Sequence, residues 1–219
     1  MSANGLKKRL GLPYARPTAK RPSSAKPKKP TYTHDPPLAV GPDAIFFKSD
    51  SGRGGWAFLS NYWPFVRPAA VRGCARDHDI HPPTGEALFT VEGVGYKSVE
   101  HFYHTERQPK GAKAIRERIR NAEDGLTAKK INNEYKKMNP SPLSAAEERQ
   151  LVKQGLLAKF GQNEDLRRGL LSTASRTLHE GAGMGAFTNR WTLTQDGTKG
   201  GDLLGQLLME VREELAASA

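Results

Sequence analysis

Seven of the chain's 15 prolines fall within residues 1–37, a stretch that also carries Lys7, Lys8, Arg9, Arg16, Lys20, Arg21, Lys26, Lys28 and Lys29 against Asp35 alone. That is a net +8 out of +11 for all 219 residues. Such a segment cannot build a core. Its prolines fix φ and remove backbone donors, and it holds too few apolar side chains to offset the entropy of ordering them. Residues 1–37 therefore read as an extended or disordered basic arm, and the folded domain is expected from 38–219. Spaced Lys and Arg neutralise phosphates without needing a fold, so the partner this arm suits is a polyanion such as RNA. A purely solubilising extension has the same composition. The arm also has the Lys-, Arg- and Ser-rich make-up of an organelle (mitochondrial) targeting sequence, although its prolines spoil the amphipathic helix such signals favour.

Composition excludes several classes. No apolar run approaches the roughly 18 residues of a membrane-spanning helix, and no membrane partner is expected. The single Cys74 cannot form an internal disulfide, and no apolar signal core lies near Met1. A reducing, cytoplasmic setting is the expectation.

From Leu38 the pattern suggests a mainly helical α+β domain with a small β-sheet. Ala44–Lys48 is a short apolar run that reads as a strand. Ala87–Glu92 alternates apolar and polar residues before a turn at Glu92-Gly93 and a second strand, Val94–Tyr96. Ser98 has N-cap chemistry for a helix toward Arg107, where Pro109 and Gly111 interrupt it. A charged helix over Lys113–Glu123 places Ile115 and Ile119 four apart. Ser144 and Glu147 have capping-box spacing ahead of Val152, Leu156 and Phe160. Asn163 is expected to cap the segment with Leu166, Leu170 and Leu171, and Asp202 a last helix with Leu204, Leu207, Leu208, Val211 and Leu215 on one stripe. That stripe is core.

Two long irregular segments, an insertion at 67–86 and a glycine-rich loop from Gly181 to Gly201 containing Trp191, are candidates for function. Cys74, Asp77, His78, Asp79 and His81 crowd into the insertion, but Cys-x3-His-x2-His lacks a fourth ligand and is not a standard zinc spacing. No metal and no redox cofactor are expected. Gly52–Gly55 lacks the lysine and hydroxyl of a P-loop and reads as a turn bordering the pocket.

Four short motifs in register carry a resemblance. Phe58-Leu59-Ser60-Asn61-Tyr62-Trp63-Pro64, Val91 through His101, Leu157-Ala158-Lys159-Phe160 with Asn163, and Leu178-His179-Glu180 with Trp191, Asp196-Gly197 and Leu204 through Arg212 resemble the NADAR or YbiA-like family over residues 44–216. The resemblance implies a mainly helical α+β fold and N-glycosidase activity on phosphoribosylamino-pyrimidine intermediates of riboflavin synthesis or on ADP-ribosylated guanine.

That chemistry builds positive charge at the anomeric carbon, which a nearby carboxylate stabilises while it or a second acid moves protons. Glu100, in the first turn of the helix capped by Ser98, is the leading catalytic candidate, because the helix dipole favours its ionised form. His104 and Arg107, at i+4 and i+7, share its face. Arg107 is expected to grip a substrate phosphate and His104 to bridge toward the sugar; an ordinary pair of Glu100 with Arg107 or Lys97 fits the same spacing. Asn61 offers donor and acceptor to a ribose or base edge. Glu180, read as ending a helix, is the second catalytic carboxylate. Trp191 would stack on the departing base, and Asp196 or Asp202 would orient the loop, Asp202 being equally explained as a helix cap.

The chain departs from the family pattern at three places. His104 and Arg107 stand where the family has Gln and Lys, Thr188 where it has Asp, and Asp202 where it has Asn. Arg107 cannot replace a lysine that acts as a nucleophile. Two functions stay open at this level: an N-glycosidase acting on a phosphorylated or ADP-ribosyl nucleoside, or a catalytically degraded copy serving a ribonucleoprotein or other assembly through its arm.

Overall fold

The computed structural model describes residues 43–47, 56–63, 87–139, 143–181, 189–194 and 197–218. The arm, the 67–86 insertion with its Cys74–His81 cluster, and the Gly52–Gly55 turn lie outside the described residues.

The centre of the domain is a short helix, α1 (Val99–Glu106), whose residues Val99 to Thr105 are all buried. Ser98 starts it as expected, its hydroxyl accepting the His101 backbone N–H at 3.3 Å and meeting His101 Nδ1 at 2.8 Å. Three helices pack on α1: α2 (Lys113–Arg120), α3 (Gly125–Met138) and α4 (Ala145–Gly161). The sequence pattern missed α3. Asp124 caps it by accepting the Thr127 N–H at 2.7 Å, but its buried face is only Gly125, Ala128 and Asn132, too small to leave an apolar stripe. Ile115, Ile119, Ala122 and Ala128 form a separate small core under α2 and α3.

Helix α4 begins with the expected capping box between Ser144 and Glu147. It packs against α5 (Glu164–Leu171) and α6 (Leu203–Ala217). Leu204, Leu207, Leu208, Val211 and Leu215 are buried as their spacing requires, each worth about 1.5–3 kcal/mol on burial. Asn163 and Asp202 stand at N-cap positions, yet neither side chain caps its helix. The Asn163 amide instead donates to the carbonyls of Leu88 and Lys159.

The expected single sheet is two separate pairs among the described residues. β2 (Phe89–Val91) and β3 (Val94–Tyr96) form the anticipated antiparallel hairpin. Its two turn residues, Glu92 (φ 52) and Gly93 (φ 77), both lie in the left-handed region that a two-residue hairpin of this twist needs. β1 (Ile45–Phe47) pairs in parallel with β4 (Leu178–Glu180), Phe47 opposite Glu180. Glu180 thus ends a strand rather than a helix. Three residues have no readable period, and their partner lies far away in sequence.

Lys159 is wholly buried in α4. Its ammonium donates to the carbonyls of Phe58 and Ser60 and lies near the rings of Phe160 (4.9 Å) and Trp63 (5.6 Å). Burial pushes it down to about 7. This contact ties the 57–63 turn, with its short 3-10 helix Ala57–Leu59, to α4.

Candidate active site

The 57–63 turn and the first turn of α1 are joined through the backbone. The Glu100 N–H, one of the amides left unpaired at a helix start, donates to the Asn61 carbonyl at 3.0 Å. Asn61 and Glu100 are thereby held side by side. Asn61 is buried, and its side-chain Oδ1 has no hydrogen-bond partner among the described residues.

Glu100 is itself buried, with Oε1 3.0 Å from His104 Nε2 and 4.0 Å from the Lys129 ammonium. Lys129 donates to the Tyr62 hydroxyl at 2.7 Å, and that hydroxyl bonds Glu100. Burial alone would raise the Glu100 carboxyl. The charge and hydrogen bond of His104, the Lys129 ammonium and the Tyr62 hydroxyl outweigh it and hold the group below the usual carboxylate range. Burial and then Glu100 drive Tyr62 far the other way, so its proton stays in place.

Glu180 sits at the end of β4 in the same electrostatic field. Burial first, then the Glu100 charge, push it up to about 8, with Asp202 adding to the rise and Lys129 opposing it. The two glutamates are driven apart: one ionised, one holding its proton at neutral pH.

This has a consequence for stability. The folded value of Glu180 lies above its ordinary 4.5, so the protonated group stabilises the fold at low pH, and that contribution is lost as pH rises from about 4.5 through 8. Glu180→Gln, neutral throughout, is expected to remove this decline and to be more stable than wild type at pH 8. Urea unfolding at pH 5 and pH 8 measures it; a variant that follows the wild-type pH dependence would contradict the raised proton affinity.

The remaining predicted residues distribute unevenly. His104 is buried against Glu100, with Nδ1 unpartnered among the described residues. Arg107 does not join them. Its guanidinium pairs with Glu148 at 2.8 Å and donates to the Tyr103 hydroxyl at 3.0 Å, and Glu148 also holds Arg190. The alternative pairing of Glu100 with Arg107 or Lys97 is not made among the described residues, Arg107 going to Glu148 and Lys97 donating to the Ala122 carbonyl. Trp191 is reached from Glu100 through the rings of α1: His104 lies 4.9 Å from Tyr103, and Tyr103 meets the indole edge-on at 5.9 Å. Arg190 lies 4.7 Å from the indole centre. Asp202 is fully buried on His179, and Asp196 lies outside the described residues.

Tyr62, Lys129 and His179 carry weight that sequence reading did not give them. Tyr62 and His179 lie within the family-like motifs Phe58–Pro64 and Leu178–Glu180. Lys129 belongs to α3, whose only sequence signal was Asp124 as a cap.

The fold is a mainly helical α+β domain in which Glu100 and Glu180 are both buried. The chain belongs to the NADAR domain family, whose model matches residues 46–216. It is 32% identical over 126 residues to N-glycosidase YbiA of Escherichia coli (strain K12), a match covering 58% of this chain and 74% of that protein. N-glycosidase YbiA of Shigella boydii serotype 4 (strain Sb227) matches to the same extent. The NMR structure of E. coli YbiA is similar with a TM-score of 0.56 and 26% identity, over 82% of this chain and 89% of that one. No helix among the described residues is long and apolar enough to cross a membrane.

Proposed function

We propose that this protein is an N-glycosidase that hydrolyses the base–ribose bond of a phosphorylated or ADP-ribosyl nucleoside. The observation that supports the reading is the burial of Glu100 and Glu180, whose surroundings pull the first carboxyl down and push the second up, each acting on the other. Glu180 gives its proton to the leaving nitrogen as the C1′–N bond breaks. Glu100 stabilises the positive charge at C1′ and takes a proton from the water whose oxygen bonds there. The two acids then re-equilibrate with solvent. Asn61 Oδ1 and His104 Nδ1, both unpaired among the described residues, suit the ribose hydroxyls, and Trp191 suits the base. Lys129, 45% exposed beside Glu100, suits a substrate phosphate better than Arg107, which is already engaged. Candidate substrates are ADP-ribosyl-guanine and phosphoribosylamino-pyrimidines. Incubation with each in H2(18)O, followed by mass spectrometry, should show free base and one labelled oxygen on the sugar. Intact substrates after prolonged incubation would sink the reading.

The charge of residues 1–37 supports a second role, contact with RNA through the arm. Deleting 1–37 should abolish salt-sensitive RNA association and leave turnover unchanged. Equal RNA binding by the truncated chain would remove the arm from that role.

A further inference from the structure

His179 and Asp202 form a pair with no accessible surface on either side chain, Nδ1 to Oδ2 at 2.6 Å. The pair joins β4 to the start of α6, and His179 also lies 5.0 Å from the Phe46 ring on β1. As a plain structural contact it is poorly made. Asp202 holds φ 49, ψ 27, a left-handed conformation that residues other than Gly, Asn and Asp rarely adopt, where an N-cap is ordinarily extended. It forgoes the cap its position offers, and both Asp202 Oδ1 and His179 Nε2 lack hydrogen-bond partners among the described residues. Strained backbone and unsatisfied buried atoms persist where something besides stability is served.

What lies next to the pair is Glu180. His179 precedes it on β4, and the Glu180 backbone N–H acts on the Asp202 carboxylate. Resting on the N-glycosidase reading, we infer that His179 and Asp202 are positioning residues, which lock the end of β4 to the first turn of α6 so that the Glu180 carboxyl stays buried. The charges acting on Glu180 are Glu100 from α1, Lys129 from α3 and Asp202 at the head of α6, with Tyr62 between Glu100 and Lys129. The groups facing Asp202 are His179 and the Glu180 amide; burial raises Asp202 against the pull of both.

The test compares His179→Leu, which removes the donor to Asp202, with His179→Asn, whose side-chain amide reaches the same acceptor. His179→Leu should lower kcat by about 10–100-fold, the scale of a small misplacement of a reacting group, with KM within about twofold. His179→Asn should recover most of kcat. In protein carrying 13C-carboxyl glutamate, the Glu180 titration midpoint should fall by about one pH unit in His179→Leu, as water reaches the acid, and stay in place in His179→Asn. A folded His179→Leu with wild-type kcat and Glu180 midpoint would overturn the inference, whatever its Tm. If His179→Leu does not fold, a folded His179→Asn with kcat down tenfold or more, or a displaced midpoint, would overturn it. Absence of base release by wild type would defeat the N-glycosidase reading instead, and the carboxyl titration would still judge the pair.

Discussion

Glu100→Gln is expected to slow base release by about 10^3-fold while the far-UV circular dichroism of the domain stays unchanged. The substitution is isosteric and keeps an oxygen that accepts from His104 and Tyr62. What it removes is the negative charge that Lys129, His104 and Tyr62 hold in the ionised form at a buried site. Loss of one preorganised electrostatic group at a reacting centre costs about 10^2–10^3-fold, and loss of a positioned base about 10^2–10^4-fold; Glu100 combines both roles. Because its folded carboxyl is held below the unfolded value, the ionised group also stabilises the fold above the ordinary carboxylate range, and that share is lost as pH falls. Glu100→Gln should therefore be somewhat less stable than wild type at pH 7 and converge with it in acid. Release above a tenth of the wild-type rate in a folded Glu100→Gln would take Glu100 out of the chemistry.

Gly205→Ala is expected to destabilise the domain by about 3 kcal/mol, at the upper end for forcing a methyl into a packed site. In the first turn of α6, a Cβ at this position would lie 2.0 Å from the Leu178 carbonyl oxygen and 2.7 Å from Asp202 Oδ1. The first of these is backbone and cannot swing aside, so α6 must part from β4. For a domain of this size that corresponds to a Tm lower by about 6–12 °C. Activity should fall further than stability, because β4 carries Glu180. Gly161→Ala is the control: its Cβ would meet only Leu215 Cδ2 at an ordinary 3.9 Å, and removing a helical glycine is neutral or mildly stabilising. Equal Tm values for the two variants would show that the close approach of α6 to β4 is not needed.

Much of this architecture was legible residue by residue. Ser98, the Ser144–Glu147 box and the α6 leucine stripe act locally: a hydroxyl satisfies amides three residues on, and a period near 3.6 lays side chains along one face. Glu100 could be placed for the same reason, since its helix start was visible. Asn163 and Asp202 show the limit of local rules. Both have cap chemistry at cap positions, yet tertiary partners take their side chains, the Leu88 carbonyl for Asn163, together with the neighbouring Lys159 carbonyl, and His179 for Asp202. Arg107 shows it again, because helical phase put it on the Glu100 face while Glu148, on another helix, decided where the guanidinium went.

The sequence alone determined the capped helices, the hairpin at Glu92-Gly93, the family and the placement of one carboxylate at a helix start, all of which depend on contacts a few residues apart. Tertiary structure alone decided that Glu180 ends a parallel strand, that Lys129 from an unforeseen helix reaches Glu100, and that His179 buries Asp202. Those pairings, and the split in proton affinity that follows from them, depend on burial and on charges brought together from distant segments, which no local pattern encodes.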